Sequence, residues 1–240
     1  LCEPDRVVAV TRFSAESPAH GFRFSGKTLL RDLNDLETIV GLRPDLVLVN
    51  SVGAADRVAR LRDSGLEVFD LVEMRGMSTL LSNIVSVGIL VGRPEAGRVL
   101  ARSFERRMRA IANEVPQSER KTGLYLAIYG DSIYGGVQGT SYHDVLAAAG
   151  LLDATAGHFV DWPRYTSETL LTLDPDVVVT HAGMKRLLCA HTGMDRLRAC
   201  GPEGQIAEIG DDLLDDPSMT MLEAAEAVYE AVYARSEKTP

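Results

Sequence analysis

"LETIVGLRPDLVLVN" (Leu36–Asn50) and "SETLLTLDPDVVVTH" (Ser167–His181) are one helix-turn-strand phrase written twice, 131 residues apart. Aligned without gaps, six of fifteen positions are identical: a Glu, a Thr, a Leu, a Pro, an Asp and a Val. Composition alone would give roughly one match. The spacing exceeds the ~20–50-residue period of solenoids. The phrase therefore points to two similar α/β lobes.

Working outward, "RVVAVT" (Arg6–Thr11), "PDLVLVN" (Pro44–Asn50) and "LEVFDL" (Leu66–Leu71) are short β-branched runs, read as buried parallel strands. They alternate with helical stretches, which implies a parallel sheet with right-handed crossovers. From Ser78, a plausible N-cap, the pattern is helical for more than thirty residues, broken at Gly92 and resumed at Pro94. Pro94–Val115 predicts one long helix, a rigid spine between two halves. A second lobe restarts with "GLYLAIYG" (Gly123–Gly130), then a Gly-rich turn and a helix ending at Gly150, the repeat, a strand at Gly204–Gly210 and an amphipathic terminal helix. The expected division is an N-terminal lobe over 1–77, a helical backbone over 78–120 and a C-terminal lobe over 121–240.

A formal net charge of −9 and the lack of a basic stretch to replace phosphate counterions argue against nucleic acid. The cluster "RSFERRMR" (Arg102–Arg109) has the spacing of a solvated helix face. No run of ~18 apolar residues is present to span a membrane. Leu1-Cys2 looks like mid-element, so a lost export leader stays open.

Chemical motifs are few. There is no GxGxxG after the first strand, no phosphate loop, no Gly-x-Ser-x-Gly elbow and no His-Glu-x-x-His. "GGVQGTS" opens a helix, and its amides are either an anion cradle or a tight structural turn. Cys189 and Cys200 are read as a disulfide, as free thiols or, with His181 and His191, as zinc ligands, although Cys-x-His spacing matches no common zinc framework. His20, His143 and His158 are scattered and read as surface or cap residues. Asp45 and Asp176 recur in the repeat as turn residues bonding nearby amides. No catalytic set, resident cofactor or metal centre emerges, so a binding role is the better reading.

Parallel α/β sheets bind ligands beyond the carboxyl ends of their strands. Those ends are Thr11–Phe13, Asn50–Gly53, Val72–Gly76, Tyr129–Gly136 and Thr180–Gly183. The expected ligand-lining residues are Arg12, Phe13, Asn50, Arg75, Tyr134, Thr140, Trp162 and His181, bordering one inter-lobe cleft. Trp162, the only tryptophan, precedes the second repeat copy on a loop where an aromatic gives flat apolar contact; a core role is its alternative.

These residues resemble the substrate-binding proteins of ABC importers for cobalamin, haem and ferric siderophores, the helical-backbone type. The resemblance is carried, in order, by "RVVAVTRFS", "DLNDLETIVGLRPDLVLV", "LRDSGLEVFDL", "VGILVGRPEAG", "GTSYHDVLAAAGLLDA", "WPRYTSETLLTLDPDVVV" and "GDDLLDDPSMTMLEAAEAV". It implies two Rossmann-like lobes with parallel-rich sheets, a long spanning helix and export to the periplasm or the outer membrane face. Implied partners are a metal chelate and an ABC permease dimer with its ATPase, the protein being a monomer that meets the membrane only through permease or lipid anchor. The resemblance leads one to expect a further strand-helix unit before "DRVVAVT", so the sequence is read as either shortened or a truncated copy, and Ser17 stands where haem-binding relatives usually carry a tyrosine ahead of proline. Asn50 stands where cobalamin binders place an aromatic, whereas "WPRYTSE" looks like the cobalamin binder's loop. Corrinoid or siderophore thus outranks haem. Asp56 matches the N-lobe permease-docking acid; Asp195 and Glu203 are the C-lobe candidates. The alternative function is a cytoplasmic α/β enzyme acting on a small molecule or chelate.

Overall fold

The computed structural model describes residues 1–17, 21–50, 55–71, 73–155, 157–202, 204–215 and 217–234. They form two compact units: Leu1–Glu73 with Ser82–Val99, and Met74–Leu81 with Leu100–Pro240. In the first unit, β1 (Ala9–Thr11) runs into a single turn, α1 (Arg12–Ala15), capped by the Thr11 hydroxyl accepting from the Ser14 amide. β2 (Thr28–Leu30) pairs parallel with β1. The first repeat copy is α2 (Leu36–Leu42) followed by β3 (Val47–Val49), and α3 (Ala55–Asp63) leads to β4 (Val68–Asp70), parallel to β3. Ile39, Val49, Val58, Leu61 and Val68 form this unit's core. β2 escaped the sequence reading because Thr28-Leu29-Leu30 has a single β-branched residue, unlike the valine-rich runs that announced β1 and β3.

α4 (Met77–Leu90) and α5 (Pro94–Asn113) follow, joined through Gly92 in the left-handed region. They pack backbone against backbone: a Cβ on Gly88 would lie 2.9 Å from the Gly97 Cα. The division between the units falls inside both helices, after Leu81 and after Val99. α5 is one unbroken helix from Pro94, as expected, but ends at Asn113. Phe104 and Met108 are buried on one face while Arg109 pairs with Glu105, so the arginine cluster is a solvated face. The expected Ser78 cap is corrected. The helix begins one residue earlier, and the Met77 amide donates to the Asp144 carboxylate at 2.6 Å. A carboxylate from a distant helix thus satisfies a donor that a local cap was expected to take.

The second unit starts with β5 (Thr122–Tyr125). The single strand expected over Gly123–Gly130 is two: the chain leaves the parallel sheet at Leu126 and turns through Gly130 into the hairpin β6 (Ala127–Tyr129) and β7 (Ser132–Tyr134). Then come α6 (Ser141–Ala148), β8 (Leu152–Asp153), β9 (Arg164–Tyr165), α7 (Ser167–Leu173), β10 (Val177–His181), α8 (Lys185–Ala190), β11 (Gln205–Ile209), α9 (Asp211–Leu214) and α10 (Met221–Val232). Strands β8-β5-β10-β11 form an all-parallel sheet; β6-β7-β9 form a small antiparallel one. β10 is buried along its whole length, which is why its sequence is an apolar run without alternation.

Both repeat copies are helix, left-handed residue, proline, then strand. Arg43 (φ 49°) and Asp174 (φ 36°) occupy the same aligned position, closing α2 and α7 where a left-handed cap is needed. The copies differ in what holds the turn. Asp176 accepts from the Thr122 amide and hydroxyl of β5, both at 2.8 Å, and from Arg198 at 2.7 Å. Its role is structural, but the bonds cross to a neighbouring strand rather than closing a local turn. Burial works against its charge, yet these donors win and hold its pKa below the ordinary carboxylate value.

Cys189 and Cys200 form a disulfide across the segment after α8, leaving neither thiol for zinc. In the chain-entropy account, a loop this short confers about 3 kcal/mol. Cys200→Ser should therefore lower the unfolding free energy by roughly 2–3 kcal/mol in urea titrations, and reductant should do the same to the wild type but not to the variant.

Candidate functional site

The strand order of the second unit creates a switch point. β5 connects through α6 to β8 on one side, and β8 connects through α7 to β10 on the other. The crevice beyond the carboxyl ends of β5 and β10 is where such sheets receive ligands. The last residues of those strands, Tyr125 and His181, meet there with the Tyr125 hydroxyl 2.6 Å from His181 Nε2. His181 Nδ1 lies 2.9 Å from Asp211 at the start of α9, which favours a proton on Nδ1. Its Nε2 also lies 3.3 Å from Asp215, just past the end of α9. Asp215 accepts from the Tyr142 hydroxyl at 2.9 Å. The rings of Tyr125 and Tyr142 stack, centroids 3.7 Å apart.

Trp162 stands edge-on to Tyr142 at 5.0 Å and remains 51% exposed. The result is an aromatic ledge with its inner rings buried and its outer ring open. Burial pushes the hydroxyls of Tyr125 and Tyr142 well above the ordinary tyrosine value, so both stay protonated and act as donors. A Cβ on Gly136 would collide with the Tyr142 ring, so glycine is required beneath it.

The glycine-rich turn positions the Trp162 loop. The Gly135 amide donates to Pro163, the Val137 amide to Asp161, and the Asp161 amide back to Gln138, at 3.0–3.1 Å. Two amides of the turn, those of Gly135 and Val137, thus bind the protein's own loop rather than facing a ligand. Arg75 pairs with the Asp161 side chain beside the tryptophan. Among the expected ligand residues, His181, Trp162 and Arg75 thus gather on this face. His181 is buried beneath it. Thr140 is also buried, its hydroxyl donating to the Val137 carbonyl. Tyr134 lies on the separate antiparallel sheet, edge-on to Tyr129.

In the first unit, Arg12 and Phe13 open α1 with Phe13 81% exposed, and Asn50 is exposed after β3. Asp56 is exposed in the first turn of α3. Asp195 lies on a short 3-10 turn, exposed. The other C-lobe docking candidate, Glu203, lies outside the described residues, as do His20, Ser51–Gly53 and Val72.

Sequence reasoning missed Tyr125, Tyr142, Asp161, Asp211 and Asp215. Tyr125 was hidden because the strand was read through to Gly130, which put the carboxyl end four or more residues too late. Asp211 and Asp215 belong to "DDLLDDP", which follows the final strand directly and so starts at its carboxyl edge.

His143 stays apart from the ledge, bonded through Nδ1 to Asp153 at 2.8 Å. That bond raises the His143 pKa against the opposing effect of burial. For Asp153, burial opposes the charge, but the His143 and Thr155 donors prevail and lower its pKa. A raised histidine stabilises the fold below its unfolded value of about 6.5 and loses that contribution as pH rises through the raised value. The lowered aspartate loses its contribution only as pH falls through a value below about 3.9. The stability gap between wild type and His143→Gln should thus be ~1–2 kcal/mol near pH 6 and narrow toward about pH 9, as read by urea titration at each pH.

Comparison with known proteins adds the relationships. A family model described as "Periplasmic binding protein" matches residues 3–228. The cobalamin-binding protein of Halobacterium salinarum is 25% identical over 237 residues, covering 93% of this chain and 62% of that protein. An uncharacterized ABC transporter substrate-binding lipoprotein, YvrC of Bacillus subtilis, is 24% identical over 211 residues, covering 84% and 66%. The chain thus spans under two thirds of the length of these relatives. Among solved structures, the periplasmic haem-binding protein BhuT in complex with two haems shares the fold at a TM-score of 0.72 and 21% identity, covering 93% of this chain and 88% of that one.

Proposed function

The chain belongs to the periplasmic binding protein family, and on that premise we propose that it is the extracytoplasmic substrate-binding component of an ABC importer. The observation that carries this reading is the family match over residues 3–228, nearly the whole chain. The aromatic ledge at the switch point supports it physically, as an open apolar surface for a large flat ligand. The ligand is a metal chelate, with a corrinoid or ferric siderophore ahead of haem. A cobalamin-binding relative and Ser17 in place of a tyrosine support that order; the haem-bound fold-mate keeps haem on the list. The Cys189–Cys200 disulfide suits an oxidising compartment, and no described helix is long and apolar enough to cross a membrane. The relatives are named for binding, which does not favour the enzymatic alternative.

Titration of the purified chain with cyanocobalamin, haemin and ferrichrome, followed by absorbance and tryptophan fluorescence, tests the reading. Saturable binding of at least one chelate is expected; no binding to any would overturn it. Trp162→Ala should weaken the bound chelate by ~1–3 kcal/mol if the exposed ring is a ligand contact. Unchanged affinity with the fold intact would return the ring to a purely structural role.

Arg12, Phe13 and Asn50 are proposed as contacts from the first unit, and Asp56 as the acid that meets a permease arginine. Asp56→Arg should leave chelate affinity and melting temperature nearly unchanged while reducing association with the permease, because it sets like charges together. A stability loss of ~1 kcal/mol without a permease defect would mean that Asp56 serves only the start of its helix.

A further inference from the structure

The side chains under the ledge close a circuit. Tyr125 reaches His181 Nε2 at 2.6 Å, the same nitrogen lies 3.3 Å from Asp215, and Asp215 holds the Tyr142 hydroxyl at 2.9 Å. The stacked rings of Tyr142 and Tyr125 complete it. Asp211 anchors the histidine from outside the circuit. Trp162 touches the circuit through the Tyr142 ring. The Tyr142 ring is held by its face on Tyr125, and Asp215 ties the hydroxyl at its far end. We propose that Asp215 is a positioning residue: by fixing the Tyr142 hydroxyl it sets the angle of Tyr142, and through it the pose of the exposed Trp162 before any ligand arrives. Its effect on affinity, which rests on the ligand-binding reading above, is then one of preorganisation. An unfixed ledge has to be ordered on binding.

The chain carries its own reporter, because Trp162 is its only tryptophan. Tyr142→Phe removes the hydroxyl and keeps the stacked ring. Asp215→Asn keeps an oxygen that accepts the Tyr142 hydroxyl, and Asp215→Ala removes it. In the ligand-free protein, Tyr142→Phe and Asp215→Ala should lower the fluorescence anisotropy of Trp162 and increase its quenching by acrylamide. Asp215→Asn should stay near wild type. Cyanocobalamin affinity should follow the same order, falling roughly three- to tenfold in the first two variants. Combining Tyr142→Phe with Asp215→Ala should cost no more than either alone, since both cut one link.

The proposal is overturned if Tyr142→Phe leaves anisotropy and quenching at wild-type values while the protein remains folded by circular dichroism. It is also overturned if Asp215→Asn is as damaging as Asp215→Ala, because the carboxylate's charge rather than its acceptor would then matter. If the wild type binds none of the chelates, the functional reading fails. The positioning inference is then decided by the ligand-free fluorescence alone, with the same two outcomes.

Discussion

The larger unit depends on the pairing of β5 with β10, and that pairing is clamped at both ends. At the entry, the Asp176 carboxylate takes both the amide and the hydroxyl of Thr122. At the exit, Tyr125 meets His181. Between the clamps, Val177, Val178 and Val179 pair in register with Gly123, Leu124 and Tyr125, all of them buried. Parallel strands buried on both faces gain their stability from apolar contact and offer few polar anchors of their own. The two polar clamps define where the pair begins and stops. The second clamp also lies where the connections diverge, so the register of the sheet and the position of the ledge are set by the same residues.

That arrangement turns a structural necessity into a surface. A buried histidine must have both ring nitrogens satisfied or carry a desolvation cost. Here the partners are Tyr125 of the adjacent strand at Nε2 and Asp211 of α9 at Nδ1, so meeting that requirement organises side chains from three separate elements around one point. The glycine-rich turn contributes differently. Its amides secure the tryptophan loop, and Gly136 gives Tyr142 room to stack. Backbone already bonded beneath an exposed ring would suit the ligand-holding role proposed above, because little ordering is left to be done at binding.

The two units show how far a shared phrase can diverge. The left-handed residue and the proline persist in both copies, as the helix-to-strand turn demands. The partners of that turn do not persist. Asp174 and Asp176 receive Arg198 in the second unit, whereas Arg43 replaces Asp174 in the first. Local backbone geometry is therefore repeated while the long-range polar bonds are specific to each unit.

Local patterns were enough to establish the α/β class, both repeat copies, the long helix from Pro94, the terminal helix and the family resemblance, because each rests on periodicity, caps or residues close in the chain. Arg75 and His181 were expected at the carboxyl ends of parallel strands and Trp162 on the loop before the second repeat copy, and the fold gathers the three on one face. Only the tertiary structure showed that Tyr125 ends its strand, since the chain changes sheets at Leu126 without a break in its apolar run. It alone showed that Asp144 caps a helix 67 residues away and that Cys189 pairs with Cys200. It alone joined Tyr142 and Asp215, 73 residues apart, under one ledge. Such contacts are made by folding across distance, and no local period or spacing records which distant partner a polar group will find.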